Sequence, residues 1–156
     1  KVCGFDPAII FIYIRHQAVS TTFWNRWGRR RRHDYHQPRE EHRAYGGAYK
    51  NAEMLLDGPT IVFNGDILCD LDLTMVLKQH QQHQATATLV ITRVQNPSAY
   101  GLVETTDGGR ITRFLEKPSA DEITCNTINA GTYILEPEVL KVIPRGANYS
   151  FERGVF

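Results

Sequence analysis

The chain has 156 residues, 42% of them apolar, enough to bury one core and to favour a single domain. Its 18 basic and 17 acidic side chains nearly cancel, so no global field steers it toward nucleic acid or away from anionic substrates. Three cysteines, Cys3, Cys69 and Cys125, form no C-x-x-C pair; they fit neither a disulfide framework nor a structural zinc site and suit a reducing, cytoplasmic setting.

The apolar run Ala8 to Ile14 is too short to span a bilayer and precedes no small-residue cleavage site, so a soluble protein with no membrane partner is expected. A first residue of Lys1 and a last of Phe156, without a tail signal, read as an excerpt from a longer chain. From Arg15 to Arg43 no period of 2 or 3.6 is sustained. The segment holds Trp24, Trp27, four histidines and the run Arg29-Arg30-Arg31-Arg32. By composition it would suit phosphate contact and base stacking, and a nucleic-acid-binding role through Arg29 to Arg32 is one alternative reading.

From about Ala48 onward, periodic segments alternate with turn signals. Ala48 to Leu56 is helix-like and ends at Gly58-Pro59. Thr60 to Asn64 is a short apolar run of the kind covered on both faces of a sheet. Asp70 or Asp72 can cap a helix reaching about Gln84, with Leu73, Val76, Leu77 and His80 at i, i+3, i+4 and i+7. Thr86 to Val94 is β-rich, so residues 60 to 94 read as a strand, helix, strand crossover, which argues for a parallel sheet. Tyr100 to Thr105, the turn Asp107-Gly108-Gly109 and Arg110 to Leu115 make a hairpin. Asn129 to Leu135 is a further strand, followed by a helical turn through Pro137 to Val142. The sum is an α/β domain with a mixed sheet.

In such sheets ligands bind beyond the carboxyl ends of strands, which directs attention to Asn64-Gly65-Asp66. Gly65 permits a sharp exit and Asp66 offers a hard oxygen ligand for Mg²⁺ beside phosphates; an Asx-turn explains the tripeptide as well. In Glu116-Lys117-Pro118 the lysine can hold a phosphate and the glutamate a hydroxyl, although a solvated ion pair before a turn is the commoner case. Tyr100-Gly101 with Glu104, and Asn129-Ala130-Gly131, set small residues beside polar ones, which a sugar pocket needs and a β-bulge explains equally. His80 and His83 lie on a Gln-rich helix face with no third ligand, so a solvated face is expected and no role is assigned. G-x-S-x-G, G-x-x-x-x-G-K-[ST] and G-x-G-x-x-G are all absent.

Taken in order, G-A-Y-K-N-A-E, F-N-G-D-I-L-C-D-L-D-L, A-Y-G-L-V-E, F-L-E-K-P, N-A-G-T-Y-I-L-E-P-E-V-L and S-F-E-R resemble the sugar-1-phosphate nucleotidyltransferase family, nearest its mannose-1-phosphate guanylyltransferase-like branch. The similarity runs from Gly47 to Phe156. It implies a Rossmann-like mixed sheet with helices on both faces, incomplete at the N-terminus, and transfer of a nucleotidyl group from a nucleoside triphosphate to a sugar 1-phosphate. By family motif Asp66 would bind Mg²⁺ and Lys117 the sugar phosphate. Glu116 and Gly101 would contact the sugar, Asn129 and Gly131 would line the same pocket, and Gly47 would approach the nucleobase.

The departures are as specific. The family's opening G-x-G-T-R-L loop and P-K lysine are missing, a second metal-binding aspartate is expected beyond Phe156, and Ala44-Tyr45-Gly46-Gly47 replaces the base-reading pattern. The isolated chain is therefore expected not to turn over. A non-catalytic sugar-nucleotide-sensing subunit of the same fold is the second alternative, and homo-oligomerisation stays open. Two units are expected: an aberrant or poorly ordered segment, residues 1-46, and a partial nucleotidyltransferase domain, residues 47-156. Shifting the possible codons of His33-Asp34-Tyr35-His36-Gln37 by one base yields Met or Thr, three of Ile or Thr, then Asn or Ser, a strand-like run where the family has one. A frameshift across Arg15 to Arg43 is thus expected, and the source DNA tests it: an uninterrupted frame with no better match in the shifted one sinks it.

Overall fold

In the computed structural model the described residues are 8–15, 18–24, 30–35, 45–64, 67–147 and 149–156. Among these residues eight strands form one sheet: β1 (Ala8–Arg15), β2 (Ala18–Trp24), β3 (Arg30–Tyr35), β4 (Thr60–Asn64), β5 (Ala87–Arg93), β6 (Gly101–Thr105), β7 (Ile111–Glu116) and β8 (Thr127–Leu135). The helices are α1 (Tyr45–Asn51), α2 (Leu73–Gln82) and the single-turn α3 (Phe151–Gly154), with short 3₁₀ turns at Glu53–Leu55, Ala120–Glu122 and Pro137–Lys141. Strands β2 and β3 fall where no period is legible in the sequence. They pair antiparallel with each other, and β2 pairs antiparallel with β1.

The centre of the sheet is β8. It pairs antiparallel with β4, β5 and β6, whereas β1 runs parallel to β4. Strands β4 and β5 do point the same way, as the crossover reading requires, but they are not neighbours because β8 lies between them. The chain therefore builds a mixed, largely antiparallel sheet from what reads locally as a parallel unit.

Alternation along β4 and β8 splits the core between the two faces. Ile61 and Ile134 are cross-strand partners and pack with Val76 and Leu77 of α2 on one face. Val62 with Tyr133, and Leu135 opposite Thr60, turn the other way, into a cluster with Tyr49, Ala52, Val139, Leu140, Ile143 and Phe151. This is the period-2 geometry of a strand covered on both sides. Each such aliphatic side chain contributes about 1.5–3 kcal/mol by leaving water.

Local signals set the element ends. The Asp72 carboxylate accepts from the amides of Thr74 and Met75 at 3.0 and 3.1 Å, capping α2. Helix α1 begins three residues before the expected Ala48 and passes into a 3₁₀ turn at Glu53. Gly109, at φ +79°, supplies the left-handed residue of the β6–β7 turn.

A further expectation, that of a solvated histidine face, is corrected at one of its two residues. His80 does not lie on a solvated face: it is buried, with Nδ1 2.7 Å from Thr88 Oγ1 and Nε2 3.2 Å from Glu136 Oε1. Its position at i+7 from Leu73 puts it on the apolar stripe, and β5 with the end of β8 supplies the partners that make burial tolerable. His83, one turn on, is exposed.

Candidate functional site

Register fixes where the motif residues meet. Strand β5 occupies one edge of β8 along its length, so β4 and β6 share the other edge end to end. On that edge Phe63 pairs with Thr132 and Leu102 with Ile128, leaving Asn129, Ala130 and Gly131 between the two ladders. Against β5 the strand bulges at Ala130, Gly131 and Thr132, between the pairs Ile91–Asn129 and Leu89–Tyr133, where two steps along β5 match four along β8. Gly131 has φ +65°, and a Cβ there would stand 2.2 Å from Ile67 Cδ1 and 2.8 Å from Asn64 Nδ2. The glycine is thus required both by backbone conformation and by close approach of the chain leaving β4.

The hairpin delivers the next pair. Gly101 pairs with Glu116 across β6 and β7, and a Cβ on Gly101 would lie 3.0 Å from the Glu116 carboxylate and 2.7 Å from the Phe114 ring. Lys117 follows at φ +51°, its amide donating to the Tyr100 carbonyl at 3.2 Å. A lysine in the left-handed region costs about 1–2 kcal/mol. Strain of this kind, at the exposed rim of a sheet opening, accords with a functional position.

Inside the opening a half-buried polar chain, with Tyr133 at its buried centre, crosses from β8 to α3. Asn129 Nδ2 donates to the Tyr133 hydroxyl at 2.9 Å, Tyr133 donates to Glu152 Oε1 at 3.2 Å, and Ser150 Oγ donates to Glu152 Oε2. The Asn129 Oδ1 accepts from the Gly131 amide at 2.8 Å. Burial first, then the Glu152 charge, hold the Tyr133 hydroxyl pKa well above the usual phenolic range, so it stays protonated. Tyr133 is flanked by Phe151, at 5.4 Å between ring centroids, and Phe156, at 5.6 Å; Phe156 in turn stacks on Phe114.

Thus Gly101, Glu116, Lys117, Asn129 and Gly131 gather around one break in the sheet, with the end of β4 beside it. Asp66 and Gly65 lie outside the described residues, as does Arg29 of the basic run. Gly47 sits in α1, buried, its amide donating to the Tyr149 carbonyl at 3.2 Å. Tyr133, Glu152 and the Asn64 side chain have no role in the motif reading. Glu152 stands in the S-F-E-R motif, and that was the signal available for it.

For Mg²⁺ the donor chemistry is compatible. Asn64 Oδ1 is buried without a hydrogen-bond partner, an oxygen left open two residues before Asp66. Among the described residues no group of three or more His, Cys, Asp or Glu side chains could hold a metal on its own. No described helix is long and apolar enough to cross a membrane. A cleft of about 590 Å³ lined by His80, Glu136 and Glu138 lies at the far end of the strands, among residues that precede β4 and follow β8, and Gly101, Glu116, Lys117, Asn129 and Gly131 do not line it.

The chain resembles proteins of known activity along most of its length. The Nucleotidyl transferase family profile matches residues 9–152. A UTP--glucose-1-phosphate uridylyltransferase from Synechocystis sp. is 41% identical over 115 residues, covering 71% of this chain and 30% of that protein. A mannose-1-phosphate guanylyltransferase from Mycobacterium tuberculosis is 40% identical over 111 residues, with the same coverages of 71% and 30%. Apo UDP-glucose pyrophosphorylase superposes with a TM-score of 0.55 at 26% identity, covering 64% of this chain and 40% of that one. The UDP-glucose complex of a UDP-glucose pyrophosphorylase gives 0.56 at 25% identity, covering 70% and 47%. The chain thus spans about a third of the length of the curated relatives it matches. With a mixed sheet, helices on both faces and a profile match across nearly all its residues, the chain belongs to the nucleotidyl transferase family.

Proposed function

We propose that the break in the sheet binds a sugar 1-phosphate, and that the whole protein transfers a nucleotidyl group to it from a nucleoside triphosphate. The observation that carries this reading is the gap on the edge of β8. It exposes Asn129 to Gly131 between the end of β4 and the start of β6, with Glu116 and Lys117 at its rim. In the reaction, a phosphate oxygen of the sugar 1-phosphate forms a bond to the α-phosphorus. The bond from that phosphorus to the bridging oxygen breaks, and pyrophosphate leaves with its electron pair. Such transfer needs positioning and charge neutralisation rather than a covalent protein nucleophile.

Lys117 is assigned to the sugar phosphate as a point charge, and Glu116 to accepting a sugar hydroxyl beside Gly101, whose missing Cβ keeps that space open. Asn129 presents its carboxamide to the same ligand, and Gly131 lets the chain approach closely. Gly47 would offer the base its Cα face, since its amide is engaged by Tyr149. Asp66, with Asn64 near it, would hold Mg²⁺, which when bound neutralises phosphate charge and polarises the phosphoryl oxygens.

Calorimetric titration of the folded chain with mannose 1-phosphate and glucose 1-phosphate, with and without Mg²⁺, tests this. Binding is expected, and Lys117→Ala should weaken it by about 10- to 100-fold, as loss of a charge-assisted contact does. Asp66→Ala should remove the dependence on Mg²⁺. A folded sample that binds neither sugar phosphate, or binds them regardless of both substitutions, overturns the reading.

A further inference from the structure

We infer that Tyr133 and Glu152 are positioning residues which lock the carboxamide of Asn129 in one orientation and thereby set what the sugar pocket can recognise. The inference rests on the reading of Asn129 as a pocket residue. It follows from the direction in which each hydrogen bond must run. An ionised carboxylate can only accept, so Glu152 takes the single proton of the Tyr133 hydroxyl. Toward Asn129 that hydroxyl can then only accept, and it must face the amide nitrogen, 2.9 Å away. From the other side, the Gly131 amide can only donate, and it must face the Asn129 carbonyl oxygen at 2.8 Å.

Two independent constraints, one reaching across from α3 and one within the bulge, therefore select the same rotamer. Without them the two ends of an amide are nearly equivalent in shape. The locked group retains one free N–H on Nδ2 and one free lone pair on Oδ1. It offers a donor and an acceptor side by side at a half-buried position, which matches a sugar hydroxyl or a vicinal pair able to give and take a proton at once. Ser150 completes the arrangement by holding the second oxygen of Glu152. The ring of Tyr133 packs without its hydroxyl's help, between Phe151 and Phe156, so the hydroxyl's contribution is separable from that of the ring.

The test uses Tyr133→Phe, Glu152→Gln and the double variant. Tyr133→Phe keeps the stacked ring and removes the relay; Glu152→Gln adds a donor facing the hydroxyl and lets the chain of bonds reverse. Each single variant should weaken mannose 1-phosphate or glucose 1-phosphate binding by about 5- to 20-fold, with the double variant no worse than Tyr133→Phe alone, the non-additivity expected of one linked unit. The Asn129 side-chain amide pair in ¹H–¹⁵N spectra should move in each variant without ligand, and Glu152→Asp should restore part of both signals. Unchanged affinity in variants whose parent binds, strictly additive losses, or an Asn129 amide pair unmoved in Tyr133→Phe overturns the inference. A parent chain that binds no sugar phosphate overturns the pocket reading instead, while the amide signals still decide whether the lock exists.

Discussion

Phe151→Ala is expected to lower the free energy of unfolding by about 3–5 kcal/mol, a large fraction of the roughly 5–15 kcal/mol available to a domain. Phe151 is fully buried, and its ring stands 5.8 Å from that of Tyr49, 5.4 Å from Tyr133 and 6.4 Å from Phe156. Truncation leaves a cavity walled by three rings on a sheet that cannot collapse into it. It also releases α3, a four-residue helix that cannot persist by propensity and is held by this side chain and the Ser150 cap. Chemical denaturation followed by circular dichroism measures the loss. A change below about 0.5 kcal/mol, the range of an ordinary surface substitution, would show that the aromatic cluster is not a single packed unit. Phe151→Leu should recover part of the deficit, because most of the volume returns while the edge contacts do not.

Gly131→Ala should cost a few kcal/mol by a different route. The position lies at φ +65°, which for alanine carries about 1–2 kcal/mol of backbone strain, and overpacking adds about 1–3 kcal/mol. The two neighbours are not equivalent. Ile67 is partly exposed and its δ-methyl can swing aside, whereas the Asn64 carboxamide oxygen is buried and its nitrogen stands 2.8 Å from the new methyl. Adding Ile67→Ala should therefore relieve only part of the loss. Gly109→Ala is the internal reference: its φ is +79° and nothing lies within 4 Å, so it reports strain alone. If the two alanine variants lose equal stability, the close approach at Gly131 contributes nothing.

How much of this was legible depends on range. Strand β4 matches the sequence reading residue for residue, because five consecutive residues between a Gly-Pro break and Gly65 leave no other period. The hairpin was legible from its turn Asp107-Gly108-Gly109, but the pairing of Gly101 with Glu116 was not, because a one-residue shift between Glu104 and Thr105 moves the register beyond what the turn sets. The insertion of β8 between β4 and β5 was not legible, since a strand, helix, strand pattern states direction but not adjacency. His80 was misread because Gln79, Gln81 and Gln82 around it dominate the composition, while its own place in the helical period pointed inward. The site divides in the same way. Motif order brought out Glu116, Lys117, Asn129 and Gly131, while the bond from Tyr133 to Glu152 joins residues 19 apart through a fold the local pattern does not encode.

The central place of β8 has a consequence for synthesis. As the chain leaves the ribosome, β4, α2 and β5 emerge before β8, and although β4 already has β1 on one side, it and β5 are not partners of each other in the final sheet. The facing edge of each must wait until residues 127–135 arrive in between, joining Ala87 to Leu135 on one side and Thr60 to the same Leu135 on the other. Contacts so distant in sequence form slowly, and in the meantime two apolar strands stand with open edges. The nascent protein passes through a window in which the edges later closed by β8 can capture a neighbouring chain, and a ribosome-associated chaperone or slowed translation near residue 130 would raise the yield of folded protein.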